Sequence, residues 1–348
     1  MSSASTEAIL ESAYDLLNGS VLSYKGEPMG TAAALDTRVA APNYEECFVR
    51  DFVPSALVFL CDGKPEIVRN FLKMVISLRN QQSVMEGHER ALGLMPASFR
   101  LPKEDDPDGK PKADFGELAI GRVAPVDSAM WWVILLRSYV LVTGDIALAH
   151  SKEFQESMRY TLELYLKESF ETSPAMLVPD ASFMIDRRMG VYGHPLEIQA
   201  LLYGMLCTAQ ELLLPTLENE RLLRISKKRM QTLRSYVRIY YWLDAQRLNE
   251  IHRFPSEEFG ENALNHLNIY PETIPPWMDG WLPPDSGYLV GNLGVGRMDF
   301  RLFSFGNFLS ILFGLTTDTQ AEQIMNLYEG RWKELVGQMP LKIVFPAV

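Results

Sequence analysis

The chain has 348 residues, 47% of them hydrophobic and 22% charged, which is enough apolar material for a sizeable core and excludes a disordered or fibrous protein. Its formal net charge of −11 excludes a nucleic-acid partner, because phosphate backbones are held by arrays of Lys and Arg. Three cysteines in apolar segments, Cys47, Cys61 and Cys207, read as buried free thiols of a reducing compartment and not as a disulfide framework.

The first eleven residues are polar and lack the basic stretch and apolar core of a signal peptide. No apolar run reaches the roughly 18 residues of a membrane span, so neither a membrane partner nor an export route is expected, and the location expected is cytoplasmic. No Gly/Ser-rich or Pro-rich linker divides the sequence, and residues 1–348 are expected to form a single domain.

Helical periodicity dominates. In chain order it predicts helices over Thr6–Leu22, Tyr44–Cys61, Pro65–Gln81, Pro125–Val142, Lys152–Ser169, Pro195–Leu214, Leu217–Leu248, Glu257–Leu267, Met298–Leu315 and Thr319–Leu335. Pro65, Pro125 and Pro195 stand where a first turn begins and a missing N–H costs nothing. Phe48–Cys61, Val126–Val142, Leu196–Leu214 and Phe300–Leu315 are apolar almost all round, as helices buried on every side must be. Pro65–Gln81, Lys152–Ser169, Leu217–Leu248 and Thr319–Leu335 carry a charged face beside an apolar one. An inner ring of helices inside an outer ring is an all-α toroid. Stacked hairpins in a solenoid would alternate similarly, but no repeat is visible.

Connections entering the inner helices are long (Ser23–Asn43, Ser83–Ala124, Phe170–His194, Asn268–Arg297), and those leaving are short. Long segments on one face of a helical domain usually carry function. The polar residues of the inner helices gather where these segments enter: Arg50 and Asp51, Asp127 and Ser128, His194, Glu197 and Gln199, Asp299 and Arg301. For a single pair such as Arg50–Asp51, a structural ion pair and a ligand contact are equally good readings. The whole set favours a solvated pocket for a polar ligand. Tyr44, Trp131, Trp132, Tyr192, Trp277, Trp281 and Tyr288 lie in or beside the same segments. Aromatic planes among convergent polar groups suit a sugar, although core packing is the better reading for at least one of the adjacent Trp131 and Trp132.

Glycoside hydrolysis needs two carboxyl groups, one protonated and one ionised. Asp186, in a segment entering an inner helix, is the first candidate for the acid, followed by Asp180, Asp127 and Glu197. The acid role requires Arg187 and Arg188 to point away from Asp186 or the site to be desolvated, since paired arginines would hold its pKa down. The five histidines show no metal-ligand spacing. Gly291–Gly296 lacks the strand and spacing of a dinucleotide loop, and no serine nucleophile elbow occurs. Neither a metal nor a cofactor is expected.

Several motifs carry a resemblance. Asn43–Phe52 (NYEECFVRDF), Gly93–Phe99 (GLMPASF), Ala113–Glu117 (ADFGE), Val126–Ser128 with Trp131 and Trp132, and Met184–Gln199 (MIDRRMGVYGHPLEIQ) are similar to the alkaline/neutral invertases of cyanobacteria and plants. The likeness continues through Tyr241–Trp242, Arg253–Glu258, Gly291–Gly294 and Met339–Lys342. It implies an (α/α)6 barrel, a toroid of six hairpins, that hydrolyses sucrose to glucose and fructose with inversion and without a metal. It places the general acid on Asp186. The substrate-binding set expected is Tyr44, Arg50, Asp51, Asp127, Trp131, Arg187, Tyr192, His194, Glu197, Gln199 and Asn292. The family's general base is a glutamate in a C-terminal segment that nothing in these 348 residues matches. Ten predicted helices against the twelve of a closed ring point the same way, to a barrel lacking one hairpin at its C-terminus. The expectations that follow are weak activity of the chain alone and association into homo-oligomers through exposed apolar edges. The alternative is a relative that binds sugar or regulates but does not catalyse.

Overall fold

The computed structural model describes residues 6–34, 43–81, 84–85, 88–89, 92–103, 109–118, 125–167, 174–178, 193–254, 265–294, 296–336 and 341–347. The described chain is mostly helical with small two- and three-stranded antiparallel sheets. It divides into two compact units, one of residues 1–165 with 208–223, the other of 166–207 with 224–348.

The first unit contains α1 (Thr6–Gly19), α2 (Val49–Cys61), α3 (Pro65–Ser77), α4 (Ser128–Thr143), α5 (Ile146–His150) and α6 (Lys152–Tyr165). Pro65 stands in the first turn of α3 as predicted. Phe52 of α2 meets Phe71 of α3 with ring centroids 4.4 Å apart, and Phe99 completes the row at 6.0 Å from Phe71. Trp132 of α4 is wholly buried, donates its indole N–H to the Leu72 carbonyl at 3.1 Å, and stacks on Phe154 of α6. A three-stranded sheet of Cys47–Phe48, Ser98–Arg100 and Lys112–Asp114 lies at the start of α2, so the chain enters this helix from a strand.

The second unit holds most of α7 (Leu196–Leu212) and α8 (Glu220–Tyr236), whose remaining residues belong to the first, together with α9 (Ala245–Arg253), α10 (Ser304–Leu312), α11 (Asp318–Gly330) and α12 (Trp332–Leu335). The first half of α7 and the α10 region approach closely at glycines. A Cβ on Gly306 would come within 3.1 Å of the Glu197 backbone nitrogen, and one on Gly204 within 2.9 Å of the Phe313 ring. Asn307 of α10 bonds Leu289 through both its N–H and its carbonyl, fixing the strand Gly287–Leu289.

Several predicted boundaries move. The long helix expected over Leu217–Leu248 breaks at Val237–Tyr241, a π-turn, and gives way to the strand Trp242–Asp244. Asp244 then caps α9 by accepting the Arg247 N–H. The β-favouring run Tyr240-Tyr241-Trp242 and a good N-cap residue thus override the helical period. The helix predicted from Met298 begins only at Ser304, because Arg297–Asp299 and Leu302–Phe303 pair as strands. The helix predicted over Tyr44–Cys61 starts at Val49 for the same reason. That over Thr319–Leu335 is interrupted at Arg331. Of Glu257–Leu267, residues 257–264 lie outside the described residues, and the last three form a turn.

Of the four helices expected to be buried on every side, α7 is buried over nearly its whole length, but the other three are not. Leu57 and Val58 of α2, Leu141 and Val142 of α4, and Leu312 of α10 are exposed near the C-terminal ends of their helices. Cys47 is buried as expected, but Cys61 shares the exposed end of α2 and Cys207 is half-buried.

Candidate functional site

In the first unit, Arg50 and Asp51 occupy the first turn of α2, and Asp127 sits at the N-cap of α4. The Arg50 guanidinium donates to Asp127 Oδ2 at 3.0 Å and to Asp51 Oδ1 at 3.3 Å. Asp127 has no exposed surface, while the Asp51 side chain is 46% exposed. Burial pushes the Asp127 carboxyl above the usual carboxylate range, against the opposing pull of Arg50. Among the described residues, Asp127 Oδ1 meets no hydrogen-bond partner. Trp131 follows one turn later and is buried, and Tyr44 is exposed over less than half of its surface.

Two further buried carboxyls stand in this unit, Glu46 and Asp114. Glu46 accepts the Ser98 hydroxyl at 2.6 Å, and Asp114 Oδ1 accepts the backbone N–H groups of Gly116 and Leu118. Burial raises the pKa of both, and Glu117 raises that of Asp114 further. Both lie within the quoted motifs Asn43–Phe52 and Ala113–Glu117 but neither is among the predicted site residues, since a glutamate 52 residues from its serine gives no local signal of the contact.

In the second unit, His194, Glu197, Gln199 and Asn292 come together where the strand His194–Pro195 leads into α7. Gln199 is wholly buried. Its Oε1 accepts the Met176 N–H at 2.7 Å, and its Nε2 donates to the carbonyls of Met176 at 3.0 Å and Pro195 at 3.2 Å. Val178 and Gly193 exchange backbone hydrogen bonds. The His194 N–H donates to Asn292 Oδ1 at 2.7 Å, and the Tyr241 hydroxyl donates to the His194 carbonyl at 2.5 Å. Glu197, at the first turn of α7, is buried. Asp186, Arg187 and Tyr192, with the alternative acid Asp180, lie outside the described residues.

The remaining aromatics divide differently from expectation. Trp281 and Tyr288 are buried in a cluster with Trp277 and Phe345, with Trp281 donating to Glu334 and Tyr288 to the Phe300 carbonyl. They pack the second unit's interior. Asp299 and Arg301 pair with each other two residues apart. An open cleft of about 480 Å³ between α9 and Pro271–Leu282 contains none of the predicted residues. Among the described residues, no three His, Cys, Asp or Glu side chains gather as a metal ion would need, and no helix is long and apolar enough to cross a membrane.

Comparison with known proteins decides the ancestry. The family model described as alkaline and neutral invertase matches residues 13–348. The chain belongs to the alkaline and neutral invertase family. It is 46% identical over 348 residues to neutral/alkaline invertase 3, chloroplastic, of Oryza sativa subsp. japonica, covering 98% of this chain and 57% of that protein. Against cytosolic invertase 1 of the same plant the figures are 46% identity over 343 residues, 98% of this chain and 61% of the relative. Against alkaline/neutral invertase CINV2 of Arabidopsis thaliana they are 47% over 340 residues, 97% and 61%. The chain thus spans little more than half the length of the curated invertases it matches. Since these relatives are named for different compartments, membership in the invertase family does not by itself fix a location.

Proposed function

We propose that this invertase-family chain binds sucrose and supplies the general acid of its inverting hydrolysis to glucose and fructose, within a single (α/α)6 barrel in the cytoplasm. Asp186 protonates the departing glycosidic oxygen, while Arg50, Asp51, Asp127, His194, Glu197 and Asn292, with Tyr44, Trp131, Arg187 and Tyr192, hold the disaccharide. Inversion needs a second carboxylate, which activates water on the opposite face of the sugar. The resemblance assigns that base to a glutamate outside the motifs quoted above, so hydrolysis at full rate is proposed for the whole protein. The chain self-associates through its exposed apolar helix ends.

The family match over residues 13–348 carries this reading. The buried Asp127 carboxylate held by Arg50, with an oxygen that no described residue engages, supports it as a place where a sugar hydroxyl can donate. Gln199 contributes differently from a contact residue, because its amide is committed to Met176 and Pro195 and braces the approach to α7.

Glucose release from sucrose, measured beside calorimetric sucrose binding, tests the proposal. Asp186→Asn is expected to lower hydrolysis by about 10²–10⁴-fold and leave sucrose affinity nearly unchanged. Unchanged hydrolysis in that variant would remove Asp186 from the acid role. Sucrose binding without turnover in any form of the protein would favour the sugar-binding alternative.

A further inference from the structure

The first helix of the chain, α1, is 14 residues long and buries none of them. Ile9, Ala13 and Leu16 follow one another at helical spacing and make an apolar stripe, with Ile9 59% and Leu16 64% exposed and Ala13 exposed between them. The helix is tied to the rest of the first unit on another side. The Tyr14 hydroxyl donates to Asp62 Oδ1 at 3.0 Å, and the Lys64 ammonium donates to Asn18 Oδ1 at 3.3 Å. At about 3.6 residues per turn, Tyr14 and Asn18 stand about 140° and 180° round the helix axis from Ile9. The stripe therefore faces away from the body of the unit. An isolated helix of this length is marginal in water, and most helices in proteins are held by packing of their apolar face.

Charge distinguishes the partners that could cover the stripe. α1 has no Lys or Arg, so it lacks what draws an amphipathic helix to an anionic lipid surface. Its acids, Glu7, Glu11 and Asp15, stand about 120° or more from Ile9, so the stripe offers a basic helix no carboxylate to pair with. For the same reason two copies of a chain with net charge −11 can meet there without setting carboxylates face to face. The stripe is also self-complementary. Ser12 and Ala13 are small and stand midway between Ile9 and Leu16. An antiparallel pair centred on them sets Ile9 of each copy against Leu16 of the other, with the helix dipoles opposed.

We infer that the Ile9–Ala13–Leu16 stripe is a self-association face, on which α1 of a second copy of this chain packs antiparallel about a two-fold axis at Ser12 and Ala13. The inference rests on the self-association proposed above and adds the side of α1 to the helix ends named there. Two such stripes make a small interface, in the transient class under about 1,200 Å², so the dimer forms as concentration rises.

Sedimentation equilibrium of the 348-residue chain across the micromolar range reads the association. Expected is a monomer–dimer equilibrium that Leu16→Glu weakens about tenfold or more, because each dimer would bury two unpaired carboxylates. Ile9→Glu has the same expected effect, and Glu11→Gln, on the far side of the helix, leaves the equilibrium within about twofold of native. Should the glutamate variants fail to fold, Ala13→Cys in a Cys61→Ser background keeps the stripe apolar. A short bismaleimide is expected to link its copies into covalent dimers, and to do so far less for Glu11→Cys in the same background. A chain that stays monomeric overturns both the inference and the self-association reading. Dimers that neither glutamate weakens, or that cross-link as readily from position 11 as from position 13, overturn the inference alone and leave self-association to other faces.

Discussion

Asp127 and Gln199 are both wholly buried and both stand at or near the start of an apolar helix, yet their surroundings treat them oppositely. Gln199, in the second unit, spends its amide on three backbone bonds. Asp127, in the first, has one oxygen on Arg50 and another that no described residue engages, and burial works against its charge. A buried amide with its bonds made is a brace, whereas a buried carboxyl with bonding capacity left over is suited to a ligand. In sequence the two look alike, as polar residues at the mouth of an apolar helix.

That contrast can be broken by substitution. The largest effect is expected from Arg50→Met, which strands the Asp127 charge and should cost about 3 kcal/mol of stability in urea unfolding at neutral pH. Adding Asp127→Asn should restore most of it. A double variant as unstable as the single would show that the pair is not the source. Gln199→Leu keeps the volume but leaves the Met176 and Pro195 backbone groups unpaired, for a loss of about 2 kcal/mol. Near-neutral behaviour there would mean that the amide is no brace. Tyr241→Phe removes one hydrogen bond and should cost about 1 kcal/mol.

The smallest effect concerns pH. Because burial raises the Glu46 pKa, the folded chain holds that proton more tightly than the unfolded one. The resulting stability is complete below the ordinary carboxylate value of about 4 and is lost as pH rises through the raised one. Glu46→Gln keeps an acceptor for Ser98. It should therefore gain melting temperature relative to the native chain as pH rises from about 4 toward neutrality, with no such gain in stronger acid. A difference that is flat with pH would place Glu46 in an ordinary solvated environment.

The apolar character of α2, α4, α7 and α10 and the proline at the start of α3 were legible in sequence, because period and cap chemistry are local. The π-turn at Val237–Tyr241 was not, since a helical period on both sides hides one inserted residue, although Asp244 as an N-cap ahead of Arg247 marks where the new helix begins. Arg50, Asp51 and Asp127 were named from sequence and are brought together, as are His194, Gln199 and Asn292. The burial of the Glu46 and Asp114 carboxyls was not legible, although both lie in quoted motifs, because it depends on strand pairing between distant segments, Cys47–Phe48 with Ser98–Arg100 and then with Lys112–Asp114.

Calorimetric titration of sucrose into the 348-residue chain tests the central claim most directly. Saturable one-to-one binding, retained in Asp186→Asn and weakened in Asp127→Ala, is the expected result. A folded chain that takes up no sucrose, or binds it equally well after Asp127→Ala, would contradict it.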